Sequence, residues 1–506
     1  MPQSTTWNAR HSTRFRWLGV LLATALLLAA CGTGADRPES LPADLTADVD
    51  RIVQSRMAAG MIPGAWVSIV DADRGTYTRA YGQADLGAGR AATAGDHYRI
   101  GSVTKTFTAT AVLRLVDQQR LSLDDPLERY IPAIPYGDTI RLADLLGMRS
   151  GVYDYTSDPE FVAAADADPP MTGWRPDDPL RIIAAHPDEA RPPRTETVYD
   201  NANYFLLGRV VERVTGRPIG EVLDDLAAEL GLAETSYPAD DRLPDPAARG
   251  YAYEGTEPVD VTDRTPPTTY NAAGAMVSTI SDMTKYARML ARGELLSPQA
   301  RSARAQFTEL GNSEYGLGLL RIGAWVGHNG AVAGYRTMVA HLPHRDVSIA
   351  VAVNQYSSPD QFEMGADDIW AAVVDKLYPE TTGDGPPPAP APRPAVPAAP
   401  DLQAGLRRTL DPAVAAADKP FTVADAARDP QLVTRLADAF GDSGATIRVD
   451  RVTDLGDSVV ATATMEFQGR PMLVNFPLVP RDNAWRIPTD WACRSVPNPG
   501  ASPACG

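Results

Sequence analysis

The chain has 506 residues, 44% hydrophobic and 22% charged, with 44 Pro, 40 Gly and 3 Cys. This excludes a disordered, collagen-like or disulfide-scaffold protein and leaves room for about two to four globular domains. The formal net charge of -17 repels nucleic acid and anionic lipid, which argues against a polyanion-binding role.

In chain order, Arg10, Arg14 and Arg16 precede an apolar run from Leu18 to Ala30. The run is short for a membrane span but suits a secretory signal. It ends in Leu28-Ala29-Ala30-Cys31, which resembles the lipobox of bacterial lipoproteins. That resemblance implies a signal peptide over residues 1–30, a lipidated Cys31 and a polar tether over 31–43. The protein is then exported and anchored by lipid to the outer face of the cytoplasmic membrane. No later stretch approaches the roughly 18 consecutive apolar residues of a span. In an oxidising compartment Cys493 and Cys505 are expected to pair, adding about 3 kcal/mol by loop entropy.

Val49, Ile52, Val53 and Met57 predict a helix, followed by strands near 65–70 and 76–81 turned by Asp73-Arg74-Gly75. Strands near 336–341 and 347–353 close this body, with mainly helical segments between. First and last strands meeting in one antiparallel sheet, flanked by helices and interrupted by an all-α insertion, give an α+β fold over residues 44–378. A proline-rich linker follows over 379–400, with 8 Pro among the 15 residues 386–400, which favours polyproline II. Residues 401–506 form a second, small α+β domain. It has helices near 402–410 and 430–440, then alternating strands at 459–467 and 472–478, and a turn at Asp482-Asn483 leading to Trp485.

The chemistry concentrates at Ser102-Val103-Thr104-Lys105. The apolar stretch Phe107 to Val116 reads as a buried helix, which puts Ser102 and Lys105 on one face of its first turn. Of 47 cationic side chains only Lys105, Lys285, Lys376 and Lys419 are lysines. A retained lysine is a candidate for a site that needs an amine able to lose its proton. A hydroxyl beside such an amine in a dry pocket is a nucleophile with its own base. Tyr199-Asp200-Asn201 opens a further amphipathic helix buried through Val210, Val211 and Val214. Gly327 to Tyr335 reads as a glycine-rich approach to a strand, where a substrate backbone can lie close.

These residues resemble the serine penicillin-recognising family of D-alanyl-D-alanine carboxypeptidases, class C β-lactamases and related esterases. The family's three elements correspond to Ser102-Val103-Thr104-Lys105, Tyr199-Asp200-Asn201 and His328-Asn329-Gly330. The resemblance implies the β-lactamase/transpeptidase-like fold and an acyl-enzyme formed on Ser102. Lys105 and Tyr199 then exchange the proton, Asn201 orients Lys105 and contacts substrate, and the N–H groups of Ser102 and Ala331 hold the oxyanion. Implied substrates are D-Ala-D-Ala-like peptides, β-lactams, or related amides and esters at the cell envelope. Alternatives are an esterase of the same fold or a non-catalytic envelope-binding receptor.

Three departures stand out. Asn329 and Ala331 replace hydroxyl residues of the carboxypeptidase branch, Leu320 stands where an arginine holds the substrate carboxylate, with Arg321 one place later, and Met148 replaces a frequent His. The ending with Trp485, Trp491 and Cys493 weakly resembles the cystatin-like low-molecular-weight antigen domains of mycobacterial lipoproteins. His341 and His344 lack partners at metal-ligand spacing, and no dinucleotide or phosphate loop is present. No metal or cofactor is therefore expected.

Overall fold

The computed structural model describes residues 38–356, 364–381, 393–467, 469–497, 500 and 502–505. The signal peptide, Cys31, residues 31–37 of the tether and residues 382–392 of the linker lie outside them.

A nine-stranded sheet runs in the order 90–91, 75–85, 64–71, 347–353, 335–342, 325–332, 320–322, 313–315, 308–310. Each neighbouring pair is antiparallel. As the sequence predicts, the first long strand pairs with the last, Ile69 opposite Ile349. The strand Val347–Val353 is buried on both faces, so its alternation sorts size, not polarity. Ile349, Val351 and Val353 pack with Val49 and Val53 of the helix Ala43–Gly60 and with Ile369 and Val373 of the helix Ala366–Leu377. Ala350 and Ala352 face the opposite cluster, where small side chains let the helix Ile280–Arg292 lie close. Each large aliphatic side chain so enclosed contributes about 1.5 to 3 kcal/mol.

The insertion between these strands carries the helices Thr104–Asp117, Asn201–Thr215 and Ile219–Glu229. Phe107, Val112, Leu113, Val210 and Val211 are fully buried there. One sequence expectation is corrected: residues 327–332 belong to a strand, Trp325–Val332, which turns through Ala333 and Gly334 into Tyr335–Leu342. Its glycines are required by proximity, since a Cβ on Gly327 would lie 1.9 Å from Val339 O.

The C-terminal body is a four-stranded antiparallel meander, Thr446–Asp454, Val459–Phe467, Arg470–Arg481 and Ala484–Arg486. The helices Ala399–Thr409 and Leu432–Asp442 pack through Leu402, Leu406, Leu432 and Leu436 into one core with its strands. Asp482 and Asn483 both take positive φ, 51° and 56°, the geometry of a tight hairpin turn. Cys493 and Cys505 form a disulfide.

Candidate active site

Gly101 adopts φ +50° and opens a short 3-10 turn, Gly101–Val103, that runs into the helix Thr104–Asp117. The strand Trp325–Val332 packs directly on this turn. A Cβ on Gly101 would lie 2.8 Å from Ala331 N, and one on Gly330 would lie 2.1 Å from Ile100 O and 2.9 Å from Ser102 N. Two glycines therefore bring the backbones of Ser102 and Ala331 side by side.

Lys105 is completely buried. Its Nζ lies 2.9 Å from Ser102 Oγ, 2.8 Å from Asn201 Oδ1 and 2.9 Å from Ala273 O. Burial lowers its pKa to about 7, against the opposing pull of Asp154 and Asp200. Burial, then the neighbouring Asp154, pushes the Asp200 carboxyl well above its usual range. Asp200 caps the helix Asn201–Thr215 by accepting from Asn203 N, which fixes Asn201 in the first turn. Asn201 Nδ2 donates to Thr156 Oγ1 at 3.2 Å, so its carbonyl oxygen is the end offered to Lys105.

The Tyr199 ring stands over Lys105, its centroid 4.9 Å from Nζ. Tyr199 is 36% exposed as a residue, while burial of its hydroxyl raises its pKa and Ser102 tempers the rise. His328 is wholly buried and burial lowers its pKa to about 3, so it is neutral. Its Nδ1 lies 2.5 Å from Asn329 O and its Nε2 3.0 Å from Tyr315 Oη. A carbonyl only accepts, so Nδ1 carries the proton and Nε2 accepts from Tyr315. The Tyr315 ring meets Tyr199 edge-on at 6.0 Å.

Ser102, Tyr199, Asn201, His328, Asn329, Gly330 and Ala331 line one pocket of about 550 Å³, with Tyr270, Leu320, Ile322 and Tyr356 among its other walls. All eight residues singled out along the chain as catalytic or oxyanion-site candidates thus meet at one place, Lys105 reaching the pocket from below through Ser102. Asn329 departs in one respect, for its Nδ2 donates to Asp367 Oδ1 at 3.2 Å. Met148 is buried and its sulfur accepts from Asn203 Nδ2, a packing role. Asp154, Thr156 and Arg304 carry no motif signal in the sequence, since they lie outside the three motifs and contribute through single side chains, whereas Ala273 falls within the stretch Asn271 to Asp282, which resembles the same family. His341 is buried against Ser348, and no group of metal-ligating side chains occurs among the described residues.

A family model described as Beta-lactamase matches residues 49–374, and one described as Low molecular weight antigen MTB12, C-terminal domain, matches 395–503. The chain is 29% identical to Protein flp of Staphylococcus aureus (strain N315) over 223 residues, 43% of each chain. It is 32% identical to Penicillin-binding protein 4 of Amycolatopsis lactamdurans over 241 residues, 45% of this chain and 59% of that one. These matches thus span about half the length of the relatives. Among solved structures, a D-stereospecific amidohydrolase from Streptomyces sp. superposes with a TM-score of 0.56 at 28% identity, covering 66% of this chain and 98% of that one. A D-amino acid amidase from Ochrobactrum anthropi SV3 shares the fold with a TM-score of 0.58 at 23% identity, covering 66% and 98%.

Proposed function

The chain belongs to the beta-lactamase family, and from that premise we propose a serine hydrolase that forms its acyl-enzyme on Ser102 and cleaves amides or esters, D-amino-acid peptides and β-lactams included. The observation that carries this reading is the triple contact of the Lys105 amine. Asn201 Oδ1 and Ala273 O can only accept, so they occupy two N–H groups. In the neutral amine the remaining position is a lone pair aimed at the Ser102 hydroxyl. A pKa near 7 makes that form available at neutral pH, which a solvated lysine does not offer.

Ser102 Oγ then adds to the carbonyl carbon while its proton passes to Lys105. The N–H groups of Ser102 and Ala331 take the oxyanion. The C–N or C–O bond breaks as the leaving amine or alcohol receives the proton by way of Lys105 and Tyr199. Water, losing its proton to the same pair, releases the acyl group and restores Ser102.

Incubating the protein with a p-nitrophenyl ester and with a fluorescent penicillin, followed by intact mass, tests this reading. Ser102-dependent ester turnover, or an adduct on Ser102 from either probe, is expected. Identical behaviour of wild type and Ser102→Ala favours an envelope-binding receptor. The Leu28-to-Cys31 motif supports a lipid-anchored envelope location. Wild type is expected to sediment with membranes and Cys31→Ala to remain in the soluble fraction.

A further inference from the structure

The pocket beside Ser102 holds no charged side chain among the described residues that line it. Each candidate for recognising a carboxylate is engaged elsewhere. Along the strand Leu320–Ile322 side chains alternate, and Leu320 and Ile322 face the pocket. Arg321 points to the other side, where it forms a two-pronged ion pair with Glu314, at 2.6 and 2.5 Å, and its guanidinium lies 4.2 Å from the Phe307 ring centroid. That pairing holds the Glu314 carboxyl below its usual range. The Asn329 amide is tied to Asp367, which also takes Arg336 at 3.0 Å. Ala331 has no hydroxyl. His328 is neutral, with both ring nitrogens spent on Asn329 O and Tyr315.

Three further cations stand nearby and none lines the pocket: Arg336, opposite Ala331 on the next strand and 5.7 Å from the Tyr356 ring centroid, pairs with Asp367. Lys105 is buried beneath Ser102, and Arg304 is buried with its donors on Thr110, Thr106 O and Gly318 O. Residues 357–363, which follow Tyr356 of the pocket wall, contain no Lys, Arg or His. A carboxylate entering this pocket exchanges water for neutral apolar, phenol, hydroxyl and amide side chains without gaining a counter-ion, whereas a carboxamide or ester loses far less hydration.

The geometry points to a specificity for acyl donors whose leaving group is uncharged, such as D-amino-acid amides, internal peptide bonds or esters, over peptides ending in a free carboxylate at that position. This inference rests on the serine hydrolase reading and narrows its substrate class.

The test is an isosteric pair, N-acetyl-D-alanyl-D-alanine and N-acetyl-D-alanyl-D-alaninamide, each presented as a competitor of p-nitrophenyl ester turnover by the full chain. Competition reads binding even when neither peptide is cleaved. The amide is expected to compete at least about tenfold better. Equal potency, or a preference for the free acid, overturns the proposal. Leu320→Arg is expected to shift the ratio toward the acid by at least about tenfold. Arg321→Ala, at a half-buried position facing away from the pocket, is expected to leave the ratio unaltered, and a selective loss of the acid in that variant also overturns it. Absence of any Ser102-dependent ester turnover defeats the underlying hydrolase reading instead, so the two failures are distinct.

Discussion

A single ammonium-to-amine transition controls the proposed chemistry. Below a pH of about 7 Lys105 carries its third proton, has no lone pair for Ser102, and leaves the serine a neutral alcohol. The kcat/KM for ester hydrolysis is therefore expected to rise with pH along a limb centred near 7, since this parameter reports the free enzyme. Lys105→Ala is expected to remove the limb and lower kcat/KM by about 10²- to 10⁴-fold. His328 titrates near 3, so His328→Gln is expected to leave the midpoint in place whatever it does to the rate. A midpoint that moves with His328 and ignores Lys105 reassigns the base. The folded-state pKa of Lys105 lies below its unfolded value, so between about 7 and 10.5 the unfolded chain binds more protons. Over that window this group's contribution to stability rises with pH.

The site depends on how tightly two elements are pressed together. The strand Trp325–Val332 reaches the turn Gly101–Val103 only because Gly330 and Gly101 lack side chains. Gly330→Ala is expected to push the strand off Ser102 and cut kcat by about 10²- to 10³-fold, the usual cost of a lost oxyanion donor. Circular dichroism should show the fold retained. Arg304 joins the helix Thr104–Asp117 to the Tyr315–Leu319 segment by donating to Thr110 Oγ1, Thr106 O and Gly318 O at 3.0 to 3.2 Å. Among the described residues no carboxylate pairs with it. Arg304→Ala removes these charge-assisted bonds and leaves a cavity, for an expected destabilisation of about 3 kcal/mol in urea denaturation.

The two bodies touch where the helix Ala43–Gly60 ends and its last carbonyls lack intrahelical partners. The C-terminal meander supplies donors: Arg451 Nη1 to Ala58 O at 2.8 Å, and Asn475 Nδ2 to Ala59 O at 3.1 Å. Val460 packs on Ala59 and Met364 beside them. An arginine side chain does not fit this contact, so Ala59→Arg is expected to separate the bodies. Small-angle scattering should show a larger radius of gyration for the variant, while ester kcat/KM, set by residues of the other core, stays near wild type. An unchanged radius denies that this contact holds the bodies together.

The sequence by itself determined the elements whose signal is local. Period-two alternation marked the strands at 347–353, 459–467 and 472–478, helical periodicity marked Val49 to Met57, and fixed spacing marked Ser102 with Lys105, because these patterns record how the side chains of one element are sorted between its faces. It also ordered the three motifs that meet in the pocket. Only the tertiary structure decided that Asp154 accepts from Asn201 N and Thr156 from its side-chain amide, that Arg304 braces the site, that Arg321 turns away while Leu320 turns in, and that His328 spends both nitrogens internally. Such facts depend on which other segments pack against a side chain, from neighbours on an adjoining strand for Arg321 to a helix almost two hundred positions away for Arg304, and contacts of that kind leave no periodic trace along the chain.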